Sequence, residues 1–99
     1  METRIEIGGR ALVLKYTVNA LCAVEEHAGG SLDKLMEKQF SATRLLLWGA
    51  LMEHQPDITL QQAGGLIGAH IASGGSLEEV VNLCAQALES AGFFAPEQL

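Results

Sequence analysis

Three histidines (His27, His54, His70), two cysteines (Cys22, Cys84) and twelve acidic residues are the groups on which a metal site, a nucleophile or an acid-base pair would have to be built in these 99 residues. A zinc site draws its ligands from helix positions three or four apart or from a short knuckle. Cys22 and His27 are five apart, and His54, His70 and Cys84 stand alone. No serine sits in a Gly-x-Ser-x-Gly elbow, and neither thiol has an evident histidine partner to activate it. Glu25-Glu26 and Glu78-Glu79 are successive residues on expected helices, so they splay by about 100° and cannot face each other across a substrate. They read as solvated faces. Gly8-Gly9-Arg10 lacks the terminal Gly-Lys-Ser/Thr of a phosphate loop, and Gly65-Leu66-Ile67-Gly68 falls inside an amphipathic helical pattern with no Lys or Arg beside it. The expectation is a chain with no catalytic residues, no metal and no cofactor, and therefore not an enzyme.

Charge distribution narrows the partners. All six basic residues (Arg4, Arg10, Lys15, Lys34, Lys38, Arg44) precede position 45, where six acids balance them; beyond it there are only acids, and the net charge is -6. Neutralising a phosphate backbone needs clustered Lys and Arg, so nucleic acid is not an expected partner. No run of some 20 apolar residues would span a membrane, and Met1-Glu2-Thr3 does not open a secretion signal. These features predict a cytoplasmic chain in a bacterial host, with Cys22 and Cys84 as reduced, buried thiols.

The elements expected to carry these residues form one domain over residues 1–99, of α+β class and mainly helical: an N-terminal β-hairpin (1–16), a helical part (17–91) of four or five α-helices, and a tail (92–99). Gly8-Gly9 supplies the positive φ of a two-residue primed turn, which sets Ile7 against Arg10, Ile5 against Leu12 and Thr3 against Leu14. Ile5, Ile7, Leu12 and Leu14 then share one greasy face. Thr17 or Asn19 caps a first helix to His27 or Ala28, with Val18, Leu21, Cys22 and Val24 on its apolar side, and Gly29-Gly30 stops it. Ser31 caps a short helix bearing Leu32, Leu35 and Met36, and Ser41 caps a longer one to about His54. Gln55-Pro56-Asp57 turns the chain. Capping boxes Thr59/Gln62 and Ser76/Glu79 open two more helices, the first to about Ser73 and the second to about Ala91. Gly64, Gly68 and Ala72 at spacing four predict a stripe for close helix packing.

The eight residues from Leu45 to Met52 cover the whole helical wheel without a polar side. Either this helix is central and wrapped by the others, or part of it faces another chain. Leu47, Leu51 and Trp48 suit the first placement, and Leu46 and Met52 the second. Phe93 and Phe94, adjacent and past the glycine that ends the last helix, would form an apolar patch of the kind that marks a partner site unless one ring docks locally. The candidate protein-interaction residues are therefore Leu46, Trp48, Met52, Phe93 and Phe94.

Ile5-Glu6-Ile7-Gly8-Gly9-Arg10 leading to Leu14-Lys15-Tyr16, followed by Asn19-Ala20-Leu21-Cys22 and Glu25-Glu26, resembles the opening of the small phage tail assembly chaperones, including the branch found in gene transfer agents. Arg44-Leu45-Leu46-Leu47-Trp48-Gly49-Ala50-Leu51, Pro56 and Thr59-Leu60 with Ala63-Gly64 and Leu66-Ile67 are similar to that family's central segment and next helix. The likeness covers roughly residues 4–71 and departs from the pattern at Gly49-Ala50, in reversed order, and at Gln61-Gln62, where acids are expected. It implies a non-enzymatic chaperone of tail morphogenesis that binds the tape measure protein, or other tail proteins, and is absent from the mature virion. A structural tail component, such as a tube or connector subunit, and a small cytoplasmic protein-interaction module are the alternatives. A homo-oligomer is compatible with the residues; like charge on the C-terminal half would make self-association tighten as salt rises.

Overall fold

The computed structural model describes residues 3–29 and 37–93. Among them the order is β1 (Thr3–Ile7), β2 (Arg10–Leu14), α1 (Val18–His27), α2 (Gln39–Leu51), α3 (Leu60–Ala72) and α4 (Leu77–Ala91). This is the α+β, mainly helical architecture that the patterning predicts. The short helix expected after Ser31 lies outside the described residues.

The hairpin has the expected register, Ile7 against Arg10, Ile5 against Leu12 and Thr3 against Leu14. Gly8 and Gly9 take φ of 59° and 79°, which a side chain at either position would resist. Ile7, Leu12 and Leu14 are buried and Ile5 half-buried, so one face of the two-stranded sheet lies on the helices. A two-residue turn makes Ile7↔Arg10 and every second pair beyond it the hydrogen-bonded ones. The N–H and C=O groups of Arg4 and Glu6 on β1, and of Ala11 and Val13 on β2, therefore point outward.

The outward groups of Val13 are closed by one side chain that the local sequence marks only as a turn residue, Gln55. Gln55 accepts from Val13 N–H (3.2 Å) through Oε1 and donates through Nε2 to Val13 C=O (3.2 Å) and Leu51 C=O (2.7 Å). Its primary amide thus replaces a missing strand. Lys15 N–H, next on the same edge, donates to Ala50 C=O (2.8 Å). Ile58 N–H closes on Gln55 C=O (3.1 Å), which fixes the expected turn at Pro56-Asp57 and holds the amide in place.

Helix α2 is the central element. It packs on β2, α1, α3 and α4, and Leu45, Leu47, Ala50 and Leu51 are all buried. It begins two residues before the expected Ser41 cap, with Lys38 at the N-cap and no side-chain cap, and ends at Leu51 rather than near His54. The uncapped start is tolerated at an exposed end where water reaches the free N–H groups. Helix α1 meets α2 at Gly49, where an added Cβ would lie 2.6 Å from Val24 Cγ2 and 3.8 Å from Ala20 O. Docking through a glycine selects the narrow face of α1, so Ala20 and Val24 are buried, while Val18 is 63% exposed and Cys22 exposed. That corrects two expectations: Val18 and Cys22 are not on the apolar side, and of the two free thiols only Cys84 is buried.

Tyr16 leaves β2 into the core and donates its hydroxyl to Leu46 C=O (2.7 Å), tying the hairpin exit to the middle of α2. Burial pushes its phenol well above the ordinary range, with the neighbouring Cys84 adding to the effect, and burial pushes the Cys84 thiol up to about 11. Both capping boxes form, Thr59 with Gln62 and Ser76 with Glu79, and Gly92 ends α4 at φ 74°. The stripe of Gly64, Gly68 and Ala72 does not act as expected. Gly64 abuts the Arg44 stem, but a Cβ at Gly68 would meet nothing within 4 Å and Ala72 is exposed; α3 packs instead through Ala63, Leu66 and Ile67. Aliphatic bulk at these positions defines the buried face, and the small residues fall beside it.

Candidate protein-interaction surface

The first two turns of α2 run beside the start of α4. The residues of α2 that face α4 here are small: Ala42 and Thr43 are buried, and Thr43 turns its hydroxyl back to Gln39 C=O (2.7 Å). Too little side chain is present to fill the gap, so an open groove of about 600 Å³ remains. Ala42, Thr43 and half-buried Leu46 line it from α2, and Leu77 and 36%-exposed Val81 from α4; Gln39, Ser76 and Glu78 give it a polar edge. On the other flank of α2 a shallower recess of about 220 Å³ is lined by Phe40, Ser41, Arg44, Gly64 and Ile67. Phe40, in the lining of this second recess, is 69% exposed. A mainly apolar groove on a helix that also carries an exposed aromatic ring suits a hydrophobic helix face better than a small polar ligand.

Glu78 is the one charged side chain lining the larger groove among the described residues, and no Lys or Arg occurs beyond Arg44 to offset it. Across the α3–α4 corner, His70 Nε2 lies 2.9 Å from Glu79 Oε1, which also accepts from Ser76 N–H (3.0 Å). The Ser76 backbone and then His70 hold the Glu79 carboxyl below its usual range.

Of the five residues expected to contact a partner, the four that are described do not form one patch. Leu46 lines the groove. Trp48, two positions on and so about 200° around the helix, is half-buried on the opposite side; its Nε1–H donates to Ile58 C=O (3.3 Å) and its ring meets His27 edge-on at 4.7 Å. Met52, one turn beyond Trp48, is half-buried. Phe93 is 39% exposed at the far end of α4, more than roughly 15 Å along the helix from Val81. Phe94 lies outside the described residues. Phe40 and Val81 are exposed apolar residues that do not belong to the expected contact set. Phe40 has the right helical phase to be core, one heptad before Leu47, and only its place at the helix end exposes it. Among the described residues, no three His, Cys, Asp or Glu side chains are grouped to hold a metal ion, and no helix is long and apolar enough to cross a membrane.

No family model matches the chain, and neither the curated proteins nor the solved structures contain a match to it.

Proposed function

We propose that this chain is a non-enzymatic phage or prophage tail assembly chaperone that binds the tape measure protein during tail morphogenesis. It acts in the bacterial host cytoplasm and leaves before the virion is complete. The observation that carries the binding part of this reading is the apolar groove between α2 and α4, with Leu46 and Val81 in its lining and Phe40 exposed nearby. A tape measure protein is a long helix with apolar stripes, and a holder must offer it apolar surface while keeping the complex charged enough to stay dissolved. The net charge of -6, concentrated in the C-terminal half, meets the second need. The partner's identity rests on the likeness of residues 4–71 to the tail chaperones.

Co-expression with the tape measure protein of the same genetic element tests the reading. The tape measure protein should move from the insoluble to the soluble fraction and co-purify with this chain. A tape measure protein whose solubility does not change, and which does not co-purify, would contradict it. Mass spectrometry of purified particles separates a chaperone, which should be missing, from a tube or connector subunit, which should be present.

A further inference from the structure

We propose that the outer edge of β1 is a self-pairing edge, on which two copies of the chain join antiparallel about a twofold axis at Ile5 to form one continuous four-stranded sheet. The inference is independent of the tape measure reading. The two edges of the hairpin are treated differently. On the β2 edge, the Gln55 amide takes both outward groups of Val13 and Ala50 C=O takes Lys15 N–H, so that only the outward groups of Ala11, beside the turn, have no partner among the described residues. On the β1 edge, the outward N–H and C=O groups of Arg4 and Glu6 have no partner among the described residues, and both side chains are exposed. The sheet is open to growth on this side.

Pairing parity and charge choose the occupant. Only Arg4 and Glu6 present outward groups within β1, so an antiparallel strand must set outward residues against outward residues. Twofold self-pairing then has three registers: Arg4 against Arg4, Glu6 against Glu6, or Arg4 against Glu6. The first two bring like charges together. The third, centred on Ile5, sets Arg4 of each copy against Glu6 of the second copy, with both backbone bonds exchanged at each pair, and places the opposite charges side by side on the exposed face. On the inner face it brings Ile5 against Ile5 and Thr3 against Ile7. Ile5 is the aliphatic residue of that face left half-buried, while Ile7, Leu12 and Leu14 are exposed by 4% or less. An edge built to repel other strands carries one sign of charge or a proline; this one carries a complementary pair in the register its own symmetry requires. Edge pairing covers little area, so the dimer is weak.

Sedimentation equilibrium of the full chain from about 10 μM to about 1 mM tests the proposal. A monomer–dimer equilibrium is expected. Glu6→Arg and Arg4→Glu should each weaken it by about tenfold, since each turns both symmetric pairs from attraction to repulsion, and the double reversal should restore it. The single variants move the net charge of -6 in opposite directions, to -4 and to -8. If general repulsion alone governed association, Glu6→Arg would tighten the dimer. Arg4→Pro removes an outward N–H that the hairpin does not use and should abolish pairing while leaving the far-ultraviolet circular dichroism unchanged. A chain that stays monomeric throughout the range overturns the proposal. So does a dimer indifferent to the reversals, which would place the contact on another face, or one that merely follows net charge. Salt is a poor probe here, because it screens the local attraction and the global repulsion together.

Discussion

Gly49→Ala should change sign with its neighbour. A Cβ at Gly49 lies 2.6 Å from Val24 Cγ2, against about 3.5–4.0 Å for an unstrained carbon pair. Val24 is 1% exposed, and a β-branched residue on a helix has one strongly favoured rotamer, so the methyl has nowhere inexpensive to turn. Tyr16 Cε1 (3.7 Å) and Ala20 O (3.8 Å) are already at ordinary contact distance, so sliding the helices apart disturbs both. Overpacking of this kind costs about 2–3 kcal/mol. Replacing glycine by alanine inside a helix returns about 1 kcal/mol, leaving a net loss of about 1–2 kcal/mol. Val24→Ala removes the obstructing methyl at its own cost of about 2 kcal/mol, and in that background Gly49→Ala should stabilise by up to about 1 kcal/mol. Urea unfolding of the four chains, followed by far-ultraviolet circular dichroism, gives the coupling energy, expected at about 2–3 kcal/mol. Gly49→Ala costing the same in both backgrounds, or stabilising the parent, would refute the close crossing of α1 and α2.

Gln55→Ala should cost about 1–3 kcal/mol by leaving the Val13 N–H and C=O without their partner, while Leu51 C=O keeps the backbone N–H of residue 55; Gln55→Glu should cost at least as much because its carboxylate meets the carbonyls of Val13 and Leu51, and thermal melts compare them. Thiol titration of the native chain should find Cys22 alone reactive, with Cys84, buried and pushed up to about 11, appearing only in denaturant. Two fast thiols in the native chain would refute that placement. The Glu79 carboxyl is held below its ordinary value of 4.5. Its contribution to stability is therefore complete above that value and is lost as pH falls through the depressed one. Urea midpoints should drop in that acid window, and Glu79→Gln should flatten the drop. Tyr16→Phe should cost about 1 kcal/mol, since Leu46 C=O keeps its place in the α2 ladder and only the hydroxyl bond is lost.

The elements with local signatures were legible in the sequence. Gly8-Gly9 fixed the hairpin register, and Thr59/Gln62 and Ser76/Glu79 fixed two helix starts, because turn and cap chemistry is complete within four residues. The all-apolar run from Leu45 to Met52 correctly announced a central helix. What was missed depends on other parts of the chain. Which side of α1 is buried is decided by Gly49, some 25 residues away: Val24 and Leu21 lie toward the core as expected, while Val18 and Cys22 are exposed. Gln55 looked like a turn residue because its partner, Val13, belongs to the hairpin. Of the five expected contact residues, Leu46 lies in the groove and Trp48 on the opposite side of α2. The groove itself arises from Ala42 and Thr43 being small opposite Leu77 and Val81, a juxtaposition no single segment encodes.

The role of that groove is tested most directly by calorimetric titration of the full chain with a soluble helical segment of the tape measure protein, comparing the parent with Val81→Glu. Val81 is partly exposed, so the substitution should leave the melting temperature unchanged. It should weaken binding by more than about tenfold, since it removes apolar contact worth about 1.5 kcal/mol and sets a carboxylate in the groove. Binding of undiminished strength by Val81→Glu, or no heat with the parent chain, would contradict the assignment of this surface to a partner helix.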